Sequence, residues 1–193
     1  MFYIHIISKD DVKKAITKLT SDKIDECGII LSNNCIYGTD MLHIYISLLF
    51  SAMLCHGYAP PSFLQSSMIP IPKGARANLS DSDEYRSIAI SNLLSTILDN
   101  IIINRQCTLL TTSNYQFGFK PKSSTVLCST MVNETIQYYL EKNGQTIYLL
   151  LLDASKAFDK VSYEKLFNLL MTQNVYPRVL KLLFLFIRTR NIM

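Results

Sequence analysis

Polar and apolar positions alternate along this chain in ways that predict its elements before any chemistry is considered. Ser8-Lys9-Asp10-Asp11 has the form of a capping box, and Val12, Ala15, Ile16 and Leu19 follow at helical spacing. Asp10 and Asp11 ahead of Lys13, Lys14 and Lys18 complement the dipole of that helix, whose charged face is solvated. The stretch from Asp22 to Gly38 is polar and irregular. Met41 to Cys55 is uncharged and mostly apolar, which predicts a buried helix stopping near Gly57. It is shorter than the roughly 20 residues a membrane span needs, and His43, Ser47 and Ser51 interrupt it.

After Pro60-Pro61 the residues from Phe63 to Ile71 read as extended, because Pro70 and Pro72 hold their predecessors in β or polyproline geometry. Those prolines also mark an edge strand, and a Gly-, Asn- and Ser-containing loop from Lys73 through Glu84 follows it. Ser91 is the expected cap of a helix with Leu94, Ile97, Leu98, Ile101 and Ile102 on one side. A turn-rich connector, Thr111 to Pro121, leads to a helix capped by Ser123 or Ser124. Val126, Leu127, Met131 and Ile136 should face inward there, with Gly144 as the stop. Thr146 to Leu152 carries no charge and reads as a strand buried on both faces, with Leu149 to Leu152 inaccessible. Ser162 caps a helix through Leu170, and Pro177 opens the last one.

Composition narrows the class. The chain has 193 residues, 49% of them hydrophobic and 18% charged, which suits a folded domain with its own core. A net charge of +4 is compatible with a polyanionic partner without demanding one. The five cysteines form no C-x-x-C pair and the three histidines are scattered, so a zinc site is not expected, and free thiols suit a reducing compartment. Asn78-Leu79-Ser80 and Asn133-Glu134-Thr135 match the glycosylation triplet by chance, since no secretory signal precedes them.

The expected strand delivers Asp153 at its C-terminal end. A carboxylate so placed can hold a hard divalent cation, and the small Ala154 and Ser155 leave room for a phosphate beside the backbone. The alternative is an ordinary strand end with a solvated Asp.

Leu-Leu-Asp-Ala-Ser-Lys-Ala-Phe-Asp-Lys-Val, residues 151–161, resembles the first aspartate motif of reverse transcriptases of non-LTR (LINE-type) retrotransposons. Ile69-Pro70-Ile71-Pro72-Lys73, Tyr85-Arg86-Ser87-Ile88 and Gln116-Phe117-Gly118-Phe119-Lys120-Pro121, the last followed by Ser123-Ser124-Thr125, occur in that family's order. The resemblance covers Pro60 to Asn174. It implies an α+β chain, a partial right-hand polymerase with mostly helical fingers and an incomplete palm sheet. Residues 1–60 would form an N-terminal helical region, 61–145 the fingers and 146–193 the first part of the palm.

The family's reaction is two-metal nucleotidyl transfer, with Mg²⁺ or Mn²⁺ expected in the complete enzyme. The resemblance makes Asp153 the catalytic metal ligand, with the Ala154 carbonyl as a further oxygen donor. Lys73 and Arg86 would meet the triphosphate, Ala154 and Ser155 the nucleotide, and Phe158 would select deoxynucleotides by clashing with a 2′-hydroxyl. Phe158 as plain core and the two cations as surface charge are the alternatives. Asp159 belongs to the LINE-type motif and reads as structural. Gln116, Phe117, Gly118, Phe119 and Lys120 would lie along the template. The implied partners are an RNA template, a DNA primer and deoxynucleoside triphosphates. No membrane partner is expected, and the setting is intracellular, cytoplasm and nucleus.

Three departures stand out. Ser87 replaces the proline of Tyr-Arg-Pro-Ile, the Trp often found before Ile-Pro is absent, and Lys120 stands where Arg is usual. A Tyr-X-Asp-Asp hairpin would have to follow Asp153, yet no acidic residue follows Glu164. The expectation is therefore fingers and early palm without the remaining palm and thumb. As an isolated chain it would be inactive, and the alternative function is a remnant that at most binds nucleic acid or a protein.

Overall fold

A computed structural model describes residues 6–25, 30–75, 78–106, 110, 112–144, 146–154 and 157–190. In chain order the elements are α1 (Lys9–Ile16), α2 (Ser32–Ile36), α3 (Asp40–His56), α4 (Pro61–Leu64), β1 (Ser66–Pro72), β2 (Tyr85–Ser91), α5 (Leu93–Gln106), α6 (Thr125–Asn143), α7 (Tyr163–Thr172) and α8 (Pro177–Arg190). The fold is thus α+β, helices with a small two-stranded antiparallel sheet. Residues 1–109 with 170–193 form one compact unit and residues 110–169 another.

The first unit holds the core. Ser8 caps α1 through the capping box expected of it: its hydroxyl accepts from the Asp11 amide, and the Asp11 carboxylate accepts from the Ser8 amide. Val12, Ala15 and Ile16 are buried behind that cap, against α3 and α5. Asp11 also takes a 2.8 Å bond from Arg105 of α5. Burial works to raise its pKa, but the bonds from Arg105 and Ser8 outweigh that and hold it below 3.8.

Helix α3 ends at Gly57, where φ is +58°, a conformation that costs glycine little. Its polar residues are structural. Ser51 accepts from the Ile7 amide at 2.8 Å and donates to the Ser47 carbonyl at 2.7 Å, so it ties the N-terminal segment to the helix. His43 is buried with Nε2 on the Cys35 carbonyl, and burial pushes the Cys35 thiol pKa up. Phe50, Phe63 and Phe186 meet edge to face at 6.0 Å centroid separations, joining α3, α4 and α8.

Several expectations need correction here. Phe63 is not extended: Pro61 opens the short α4, which buries Phe63 and Leu64 before the chain straightens into β1. Asn92, not Ser91, caps α5, accepting from the Leu94 amide at 2.8 Å, because Ser91 is still part of β2. The stretch after Asp22 is less irregular than its polarity suggests, with an Ile24–Leu31 bridge and then α2.

The second unit is built differently. Ser124 caps α6 and Gly144 stops it at φ +55°, both as expected, yet Val126, Leu127 and Met131 are exposed. None of the described residues of 110–169 is buried. The expected strand from Thr146 to Leu152 is irregular chain, and Leu149 to Leu152 are 58, 81, 81 and 88% exposed. A strand exists only through a ladder, and among the described residues this run has no pairing partner. Apolar composition marks a segment able to be buried but cannot supply the surface that buries it.

Candidate nucleotide and template site

The hairpin of β1 and β2 positions the two cations. Ile71 faces Arg86 across the ladder, Ile69 faces Ile88, and Ser67 faces Ile90. Strand alternation puts these side chains on one face, and the 2.8 Å bond from the Lys73 amide to the Glu84 carbonyl carries the ladder one step further. Lys73 and Arg86 therefore share that face as diagonal neighbours, beyond a row of exposed isoleucines. The Lys73 ammonium bonds the Asp83 carbonyl. Arg86 is exposed.

The loop before α6 is held by its own polar groups. Gln116 donates to the Gly118 carbonyl at 2.9 Å, and Lys120 to the Ser113 carbonyl at 3.2 Å. Ser113 also accepts from the Tyr115 amide through its hydroxyl and from the Gln116 amide through its carbonyl. Phe117 is half-buried, and the space where a Gly118 side chain would stand is open. Phe119 sits at φ +55°, a rare conformation for a bulky residue. Its ring meets Phe158 edge to face, centroids 6.2 Å apart, although the two are 94 and 78% exposed. Neither ring is core.

Asp153 and Ala154 lie exposed on irregular chain, and Ser155 falls outside the described residues. The metal expectation meets a shortage of donors. Among the described residues no group of three or more His, Cys, Asp or Glu side chains could hold an ion. Asp153 with the Ala154 carbonyl is by itself too small a set for a divalent cation. Among the same residues no helix is long and apolar enough to cross a membrane.

Each unit thus assembles part of the expected set. The first joins Lys73 to Arg86, and the second joins the Gln116–Lys120 loop to the segment carrying Asp153 through the two phenyl rings. Sequence reasoning missed Ser113, which anchors the loop, and the Asp83 carbonyl, which anchors Lys73. The turn-forming Ser113-Asn114 pair was a signal for the first; a backbone acceptor leaves none for the second.

Comparison with known proteins bears on what this arrangement serves. A family model described as reverse transcriptase (RNA-dependent DNA polymerase) matches residues 71–192. The chain is 26% identical over 161 residues to the RNA-directed DNA polymerase from mobile element jockey of Drosophila melanogaster, covering 80% of this chain and 17% of that protein. The jockey polymerase of Drosophila funebris is similar to the same degree, 26% over 161 residues with 80 and 17% covered. The chain spans less than a fifth of the length of these relatives.

Proposed function

The chain belongs to the reverse transcriptase (RNA-dependent DNA polymerase) family, and we propose that it is the nucleotide- and template-facing part of the RNA-directed DNA polymerase of a non-LTR retrotransposon. The observation that carries this reading is the Phe119–Phe158 contact, which sets the Gln-Phe-Gly-Phe loop against the aspartate segment within one unit. Exposed rings on a polar loop give a stacking surface that tolerates any base, and Lys120 and Lys122 beside them can meet phosphates. On the hairpin, Lys73 and Arg86 form a cationic tip suited to a triphosphate, a contact without base information.

In the complete polymerase of a right-hand fold, working inside the cell, Asp153 would supply one carboxylate toward the Mg²⁺ or Mn²⁺ ions, with the remaining ligands coming from elsewhere. Phe158 stands at the sugar. The described residues hold no group of three or more His, Cys, Asp or Glu side chains around Asp153, so this chain binds without aligning a primer hydroxyl for attack.

Primer extension on an RNA template, run beside salt-dependent RNA retention, tests the reading. The parent chain should retain RNA without extending the primer, and Phe119→Ala with Lys120→Ala should weaken retention at every template sequence. Retention unchanged by those substitutions would remove the template role. Extension that vanishes in Asp153→Asn would show that a further carboxylate completes the site.

A further inference from the structure

We propose that Tyr85 is a positioning residue for triphosphate capture: its hydroxyl holds the acidic loop before β2 on the side of the hairpin away from Lys73 and Arg86. This rests on the reading of those two cations as the triphosphate contact. Tyr85 pairs with Pro72 and Arg86 with Ile71, so strand alternation puts the Tyr85 ring on the opposite face from the Arg86 side chain. On that face the phenol donates to the Leu79 carbonyl at 3.0 Å, six residues back along the chain.

The tie matters because of what the loop carries. Between Leu79 and Tyr85 stand three carboxylates, Asp81, Asp83 and Glu84, each an anion of the kind that competes with phosphate for a cation. Glu84 is fixed by the ladder, its carbonyl accepting from the Lys73 amide at 2.8 Å. At that end the Lys73 ammonium meets the Asp83 backbone carbonyl, a neutral acceptor that positions the ammonium without cancelling its charge.

Residues 78–83 are all exposed, so hydrogen bonds rather than packing set the place of the loop. The Asp81 amide donates to the Asn78 carbonyl at 3.0 Å, and the Asp81 carboxylate accepts from the Asp83 amide at 2.9 Å. Those bonds shape the turn without fixing the side of the hairpin on which it lies. The Tyr85–Leu79 bond does fix it, because it joins the turn to a side chain whose face the ladder determines. With the hydroxyl removed, the turn is released at Leu79, and Asp81 and Asp83 gain access to Lys73 and Arg86 as internal competitors of the triphosphate.

Equilibrium dialysis of the chain against dTTP at low ionic strength tests this. The parent should bind, and Lys73→Ala with Arg86→Ala should abolish binding. Tyr85→Phe should raise Kd about fivefold, close to the most that one neutral hydrogen bond can bias, with circular dichroism unchanged. Asp81→Asn with Asp83→Asn should then improve binding more in the Tyr85→Phe background than in the parent, a coupling that a merely structural tyrosine would not produce. A parent that does not bind, or whose binding survives the loss of both cations, overturns the triphosphate reading and this inference with it. Binding that needs the cations but is indifferent to Tyr85→Phe leaves the reading standing and overturns the inference alone. Equal gains from the two amides in both backgrounds also overturn it, because the charge of the loop would then not be what the tyrosine controls.

Discussion

The two units use apolar residues in opposite ways. In the first, Ile7, Val12, Phe50, Ile97, Leu98, Ile101 and Leu182 are at most 2% exposed, and even serines in its helices are spent on ties between elements. In the second, Tyr148, Leu150, Leu151, Leu152, Phe119 and Phe158 are each more than three-quarters exposed. The strongest chemical motif lies in the second, while the core draws heavily on the N-terminal residues that the resemblance describes least. Recognisable chemistry and the groups that hold a fold together are separate properties of a sequence. A unit in which no described residue is fully buried offsets little of the entropy of ordering it, so stability here belongs to the first unit.

The sharpest way to break this contrast is to truncate one large apolar side chain on each side. Phe50→Ala should cost about 3–5 kcal/mol in chemical denaturation. Leu150→Ala should leave the midpoint where it was, and a comparable loss would mean that the leucine run is buried in solution.

A smaller effect concerns charge. Arg105→Met removes the partner of Asp11 and should cost about 1.5 kcal/mol at neutral pH. The folded Asp11 pKa lies below 3.8, so its contribution is full above that value and is lost as pH falls through the lower folded pKa. The parent should therefore lose stability in that acid window, and Arg105→Met should lose less. Equal acid sensitivity in the two would place the dependence elsewhere.

Helix caps sharpen the comparison further. Ser8→Ala and Ser124→Ala each remove a side-chain cap worth about 1 kcal/mol. The first should lower the global unfolding midpoint, whereas the second should reduce helical signal alone. A shared shift in midpoint would show that the units unfold together. Smallest is the Phe119–Phe158 pair, whose coupling in a double-mutant cycle on RNA retention should be about 0.5 kcal/mol, because both rings are largely solvated. No coupling would separate the loop from the aspartate segment.

Local signals were readable residue by residue. The Ser8 capping box, the Val12–Ala15–Ile16 stripe, Gly57 and Gly144 as helix stops, Ser124 as a cap and Pro177 as a first helical residue depend on neighbours within a few positions, and all appear as expected. The family was readable too, because motif order is a one-dimensional property. Lys73 with Arg86 on one hairpin face needed the ladder register, and the Phe119–Phe158 contact needed a backbone turn at positive φ that no residue pattern announced. The run from Thr146 to Leu152 marks the limit. Its sequence determined that the segment is uncharged and strand-prone, but burial and pairing require a second surface, and only the tertiary structure could decide that its described residues offer none.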